Sequence, residues 1–230
     1  MDGILLFNKP ILWTSHDAVD FARRCLGQKA IGHAGTLDPL ATGLLVLLIG
    51  RATKLSPGFS ALDKDYAGTL TLGIRTDTQD FEGKILEEAS FDAVTEDRAR
   101  GVFAELCGTQ LQRAPAFSAV RRKGRKSYEW ARRGVPVEPS EKEITVSDFA
   151  LTAFAPPDIH FRLSCSKGTY VRALCDEAGE RLGCGATLSA LVRTRVGPYA
   201  VEDARSIEDL EGGIDGLLGD SPPPILAFKT

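Results

Sequence analysis

Gly32-His33-Ala34-Gly35-Thr36-Leu37-Asp38-Pro39-Leu40-Ala41-Thr42-Gly43 is a polar, glycine-punctuated stretch that runs straight into the apolar segment Leu44–Ile49. It holds one carboxylate, Asp38. Pro39 fixes its own φ and biases Asp38 toward an extended backbone. Glycines at 32, 35 and 43 permit turns that other residues resist. The stretch reads as a loop able to hold one carboxylate in a defined place. An Asx turn, with Asp38 bonding its own backbone, would use the same residues. Leu44–Ile49 is a buried strand or a short helix, and a continuous apolar run of this length does not decide between them.

Working outward, Gly3–Phe7 reads as a buried strand stopped by Asn8-Lys9-Pro10. Thr14-Ser15-His16-Asp17 is a helix-start signal, and Ala18, Val19, Ala22, Cys25 and Leu26 follow at helical spacing up to Gly27. Tyr66–Ile74 alternates like a strand, and Asp77–Asp80 reads as a turn. Thr95–Cys107 carries Ala99, Val102, Phe103 and Leu106 on one helical face. Glu129–Arg133 is a short helix. Ile144–Phe154 and Ile159–Cys165 are strands joined by Ala155-Pro156-Pro157-Asp158. Tyr170–Leu182 is a helix closed by Gly183, and Arg193–Val201 is a last strand. The tail from Glu211 is rich in Gly and Pro and is expected to pack loosely. Strands and helices that do not alternate strictly imply an α+β class: a single domain with a mainly antiparallel, mixed sheet flanked by helices.

The chain has 230 residues, 43% of them apolar, enough to bury a sizeable core. No apolar run approaches the roughly 20 residues of a membrane helix, and Ile4–Phe7 is too short for a secretory core. A cytoplasmic protein with no membrane partner is expected. Five cysteines without a CxxC pair argue against a disulfide framework. His16, His33 and His160 show no metal-ligand spacing, so no metal is expected. Phosphate-loop, dinucleotide and serine-hydrolase motifs are absent from the sequence.

Net charge is −3, unevenly spread. Arg113–Gly134 carries Arg113, Arg121, Arg122, Lys123, Arg125, Lys126, Arg132 and Arg133 against Glu129 alone, a window of +7 on an otherwise acidic body. That points to local contact with a polyanion, or to a solvated face.

GHAGTLDPLATGLL at 32–45 closely resembles the catalytic motif of the TruB family, the tRNA pseudouridine-55 synthases. The resemblance continues in order along the chain. Phe7-Asn8-Lys9-Pro10 resembles the family's N-terminal motif, Arg51-Ala-Thr-Lys54 its next block, and Lys64-Asp65-Tyr66 with Gly73–Asp80 its tyrosine strand and turn. Pro115–Ala119, Gly124–Tyr128 and Ala131–Gly134 resemble its central block, and Cys165–Arg172 with Gly183–Ala186 its C-terminal blocks.

The resemblance implies a pseudouridine-synthase-like fold and an isomerase that needs no cofactor and no obligatory protein partner. The implied substrate is tRNA, contacted at the T stem–loop. It further implies that Asp38 is the catalytic aspartate, acting as nucleophile or as base, and that Arg172 pairs with it. Tyr66 would stack on the extracted base, Tyr170 and Leu191 would line its pocket, and His33 would help hold the flipped nucleotides. Lys9 would meet substrate, at a phosphate, or else be an ordinary surface lysine. Residues 1–205 are expected to form the catalytic domain. Residues 206–230 are expected to form a short tail, too short for the PUA-type domain of longer family members. Two rival readings are a guide-RNA pseudouridylation subunit and a non-catalytic RNA-folding helper.

The basic window gives the first prediction. Replacing Arg122, Lys123 and Arg125 with Ala should weaken tRNA binding and reduce the log–log salt slope by roughly 0.7–0.9 per lost phosphate contact. Binding titrations across a salt series measure this, and an unchanged slope would leave the window a solvated face.

Overall fold

The computed structural model describes residues 1–115, 121–122, 125–126, 141–212 and 225–226. The expected helix Glu129–Arg133, most of the basic window and most of the tail lie outside them. The chain forms two compact units, one of residues 1–67 with 191–230 and one of residues 68–190.

In the first unit, β1 (Gly3–Lys9), β2 (Ile31–Ala34) and β3 (Ala41–Ile49) pair antiparallel, β3 lying against both β1 and β2. Leu191–Arg193, within strand β12 (Ala186–Val196), runs parallel to Ala41–Gly43 and makes the sheet mixed. Tyr199–Ala200 (β13) turns back on β12, and Ile225–Leu226 (β14) pairs antiparallel with Leu5 and Ile4.

The sequence left Leu44–Ile49 open between strand and helix. It is a strand buried on both faces, which removes the polar alternation of a half-exposed strand. Leu44, Val46 and Leu48 join Ile4, Leu6 and Val196 in one cluster. On the other face of β1, Phe7 lies 6.0 Å, centroid to centroid, from Phe21 of helix α1 (Ser15–Cys25). That helix starts where the sequence signals it. Thr14 is the N-cap, and Thr14 and Asp17 bond each other's backbone N–H in a capping box. The Thr14 hydroxyl, and then its N–H, donate to the Asp17 carboxylate and hold it below its ordinary pKa.

After a 3₁₀ turn at Gly50–Leu55 and helix α2 (Ser56–Ser60), strand β4 (Lys64–Leu72) leads into the second unit. That unit holds the hairpin β5 (Ile74–Thr76) and β6 (Ile85–Glu88), helix α3 (Glu96–Glu105) and strand β7 (Gly108–Arg113). Arg121–Arg122 (β8) and Arg125–Lys126 (β9) form a short antiparallel ladder. β10 (Glu141–Ala155) pairs antiparallel with β7 and with β11 (Asp158–Cys165), and the strand order is β4–β11–β10–β7. Phe103 of α3 stacks on Phe149 of β10, centroids 4.1 Å apart, with Phe161 of β11 edge-on to both.

Helix α4 (Val171–Leu182) ends at Gly183 in the left-handed region. The last strand begins earlier than the sequence reading placed it. Ala186-Thr-Leu-Ser-Ala-Leu-Val192 already belongs to β12, which stops at Val196. A short helix α5 (Ile207–Glu211) follows β13. The expected α+β class, with a mainly antiparallel mixed sheet flanked by helices, is the class observed.

At Gly43 the first unit packs backbone directly on backbone. The glycine φ is +94°, and a Cβ there would lie 2.4 Å from the carbonyl oxygen and 2.9 Å from the nitrogen of Arg193. Gly43→Ala should therefore destabilise the protein by about 3 kcal/mol or more, since neither backbone can yield. Urea unfolding measures the loss.

Candidate active site

The loop between β2 and β3 carries Asp38, and its backbone is gripped from four sides by its own unit. The buried Ser15 hydroxyl, on the first turn of α1, donates to the Leu37 carbonyl (3.0 Å) and accepts from the Leu37 N–H (2.8 Å). The Leu12 N–H donates to the Pro39 carbonyl at 2.9 Å. Lys9, the last residue of β1, is 0% exposed. Its ammonium donates to the carbonyls of Trp13 (2.6 Å), Pro10 (2.9 Å) and Pro39 (3.5 Å). Arg193, 1% exposed on β12, donates from Nε to the Leu44 carbonyl (2.8 Å) and from Nη2 to the Gly35 carbonyl (3.0 Å). The residues on either side of Asp38 are thus fixed, and so are both ends of the loop. Asp38 itself is half-buried, and its carbonyl accepts from the Ala41 N–H at 3.1 Å in the turn that starts β3.

Lys9 is expected to meet a phosphate; it has no exposed surface, and its ammonium lies on the carbonyls of Pro10, Trp13 and Pro39. The sequence shows why this was hard to see. Lys9 continues the alternating face of Leu5 and Phe7, so it enters the interior, where an ammonium persists only if hydrogen-bonded.

The other expected residues of this unit lie on its strands. His33 is half-buried on β2, opposite Leu47 of β3. Leu191 is buried and pairs with Ala41, while Thr42 Oγ1 reaches its carbonyl at 3.5 Å. Tyr66 is buried on β4, on the face of Lys64, whose stem lies against Gly35. The Lys64 ammonium is spent on the carbonyls of Ser60 and Leu62.

Tyr170 and Arg172 belong to the second unit, at the start of α4. Among the described residues no side chain caps that helix. Instead the amide of Gln112, buried on β7, accepts from the Tyr170 N–H (2.8 Å) and donates to the Tyr170 carbonyl (3.0 Å). Arg172 is buried. Its Nη1 donates to the Thr78 carbonyl at 2.7 Å, and its Nε lies 3.5 Å from Oδ2 of buried Asp80. The other Asp80 oxygen accepts from Thr78 Oγ1 (2.5 Å) and the Glu82 N–H (3.1 Å). The turn Asp77–Asp80 is therefore the seat of Arg172. Gln79 of the same turn is tied to Asp176, one helical turn beyond Arg172, at 2.9 Å.

Sequence reasoning did not single out Arg193, Ser15, Gln112 or Asp80. Arg193 left a signal, a charged residue inside an apolar strand. The others act through contacts between segments distant in the chain. Cysteine chemistry finds no support in this region. Burial pushes the Cys175 thiol far above its ordinary range, so it stays protonated. Among the described residues no cluster of His, Cys, Asp or Glu is grouped to hold a metal ion.

An α+β sheet scaffold presenting one loop aspartate fits the class of the pseudouridylate synthases. Residues 23–171 match the profile of the TruB family pseudouridylate synthase N-terminal domain, and residues 172–215 match that of the tRNA pseudouridylate synthase B C-terminal domain. The chain belongs to the TruB family, and it is an isomerase of that family. Proteins named tRNA pseudouridine synthase B are similar to it. That of Opitutus terrae is 47% identical over 92% of this chain and 88% of its own length. That of Burkholderia mallei is 44% identical over 96% of this chain and 77% of its own. Among solved structures, a chain of a Cbf5-Nop10-Gar1 complex matches with TM-score 0.71 and 28% identity over 91% of this chain. A chain of the archaeal box H/ACA sRNP Nop10-Cbf5 complex matches with TM-score 0.67 and 26% identity over 90%. This chain spans 54% and 52% of those two chains.

Two variants test the architecture. Lys9→Met keeps the stem but strips three carbonyls of their charged donor and should cost about 2–3 kcal/mol of stability. Asp80→Ala leaves a buried guanidinium without this carboxylate and should cost about 3–5 kcal/mol. Denaturant unfolding measures both, and losses below 1 kcal/mol, roughly that of an exposed pair, would contradict these assignments.

Proposed function

We propose that this chain isomerises uridine-55 in the T-loop of tRNA to pseudouridine, with Asp38 as the catalytic carboxylate. The observation that carries the reading is the loop itself: one aspartate whose flanking residues are fixed by Ser15, Leu12, Lys9 and Arg193. The names of the relatives at 44–47% identity support tRNA as the substrate.

The reaction breaks the bond from N1 of uracil to C1′ of ribose and forms one from C5 to C1′. C5 loses a proton and N1 regains one, so atoms and electrons balance without a co-substrate. Asp38 acts either on the sugar carbon or as the base that starts the proton transfer. A uridine in a loop is flipped out of its stack, where unstacking costs least. Tyr66 offers the extracted base an aromatic face, Tyr170 and Leu191 line its pocket, and His33 steadies the displaced nucleotides. Arg172, seated on Asp80, serves the catalytic carboxylate as its guanidinium partner. Lys9 is reassigned from substrate contact to positioning the loop. The enzyme works in the cytoplasm, without a cofactor and without an obligatory protein partner.

A second reading, a subunit that needs a guide RNA, draws on the likeness to the Cbf5-containing structures. Chemical mapping of pseudouridine after incubating the purified chain with unmodified tRNA and no other RNA separates the two. Product at position 55 supports the first reading, and product only after a guide is added supports the second. An isolated T stem–loop should react nearly as well as full tRNA.

Asp38→Asn should reduce turnover to background while tRNA binding persists, because phosphate and stacking contacts supply the affinity. Arg172→Lys keeps the charge but loses the planar fork, and it should impair turnover strongly with little loss of binding. Substantial turnover by Asp38→Asn would overturn the assignment of Asp38.

A further inference from the structure

Pro10-Ile11-Leu12-Trp13 joins β1 to the N-cap of α1, and its three large apolar side chains part company. Trp13 turns inward, its ring 5.3 Å from Phe21 and 6.4 Å from Phe7, centroid to centroid. Ile11 and Leu12 stay outside, 56% and 75% exposed. Leu12 also has φ = +69°, a left-handed conformation that glycine adopts freely and a leucine resists. The strain is held in place by the Leu12 N–H bond to the Pro39 carbonyl and by the Lys9 ammonium on the carbonyls of Pro10 and Trp13. The tip therefore shares one frame with the catalytic loop. Pro39 is a single residue step, about 3.8 Å of chain, from Asp38.

From this we infer that Ile11–Leu12 is an apolar wedge that packs against the unstacked bases of the RNA loop presenting the target uridine. The inference rests on the proposed function. A macromolecule bound over Asp38 meets this tip, because Leu12 is bonded to the residue that follows Asp38. Two side chains are far too little surface for a protein interface, which needs about 800 Å² per partner. They are the right size for a base step, where single Leu or Ile side chains act as wedges. Extracting one base leaves its neighbours without a stacking partner, and an apolar tip replaces it.

The test uses the full chain, an unmodified T stem–loop, and three variants: Leu12→Gly, Leu12→Asn and, as an exposed-leucine control on β6, Leu86→Ser. Leu12→Gly relieves the left-handed backbone, so its melting temperature should rise while RNA binding weakens roughly tenfold, the scale of one lost base-stacking contact. Because the contact is uncharged, the factor should be the same at low and high salt. Leu12→Asn, which tolerates the same φ, should keep its melting temperature and bind as weakly as Leu12→Gly. Leu86→Ser should bind as the parent does.

A Leu12→Gly chain that is more stable yet binds and reacts like the parent overturns the wedge and leaves only local strain. So does a loss that shrinks with salt, or an equal loss in Leu86→Ser. If the parent chain forms no pseudouridine, the functional reading itself falls and the wedge with it. An active parent with unaffected Leu12 variants overturns the wedge alone.

Discussion

Two buried cations hold the loop that carries Asp38, and both do so through backbone carbonyls. Lys9 approaches from the end of β1 and Arg193 from β12, and between them they reach Gly35, Pro39 and Leu44. Burying an ammonium and a guanidinium is tolerable only when their donors are met, and carbonyl oxygens do this where a well-formed loop supplies them. The dependence runs both ways. The loop gives the cations their acceptors, and the cations remove the loop's freedom to move its aspartate. Gly43 completes the arrangement, since its missing side chain lets β3 lie directly on the backbone of Arg193.

The second unit fixes Arg172 by a different device. Arg172 lies against a carboxylate, Asp80, held in a turn by Thr78 and the Glu82 N–H. A guanidinium anchored at one edge keeps its plane fixed, whereas Lys9, a point charge, only needs its donors distributed. At Lys9 several carbonyls converge on one ammonium, whereas at Arg172 a carboxylate and a carbonyl meet two edges of one guanidinium.

Much of this was legible in the sequence, and the exceptions have physical causes. The start of α1 could be read because capping is local: Thr14 and Asp17 are three residues apart and bond each other. Leu44–Ile49 stayed ambiguous because burial on both faces erases the period that separates strand from helix. Residues 186–192 escaped because two glycines close before them look like a loop, and the strand's partner at Ala41–Gly43 is remote in the chain. Asp38 was singled out as a candidate by its glycine- and proline-shaped surroundings and by the family resemblance. Arg193, Ser15, Gln112 and Asp80 were not, since each is defined by a partner twenty or more residues away. Lys9 was expected at the surface, where a lysine ordinarily lies, and only the parity of β1 turns this one inward.

The side-chain amide of Gln112 stands in for a peptide group. It offers Tyr170 one acceptor and one donor, as a neighbouring strand would, across 58 residues of sequence. Helix α4, which carries Arg172, therefore lacks a start signal of its own. The backbone groups just ahead of its first turn are met by β7, so a change in that strand is passed to the start of the helix rather than absorbed by an independent cap.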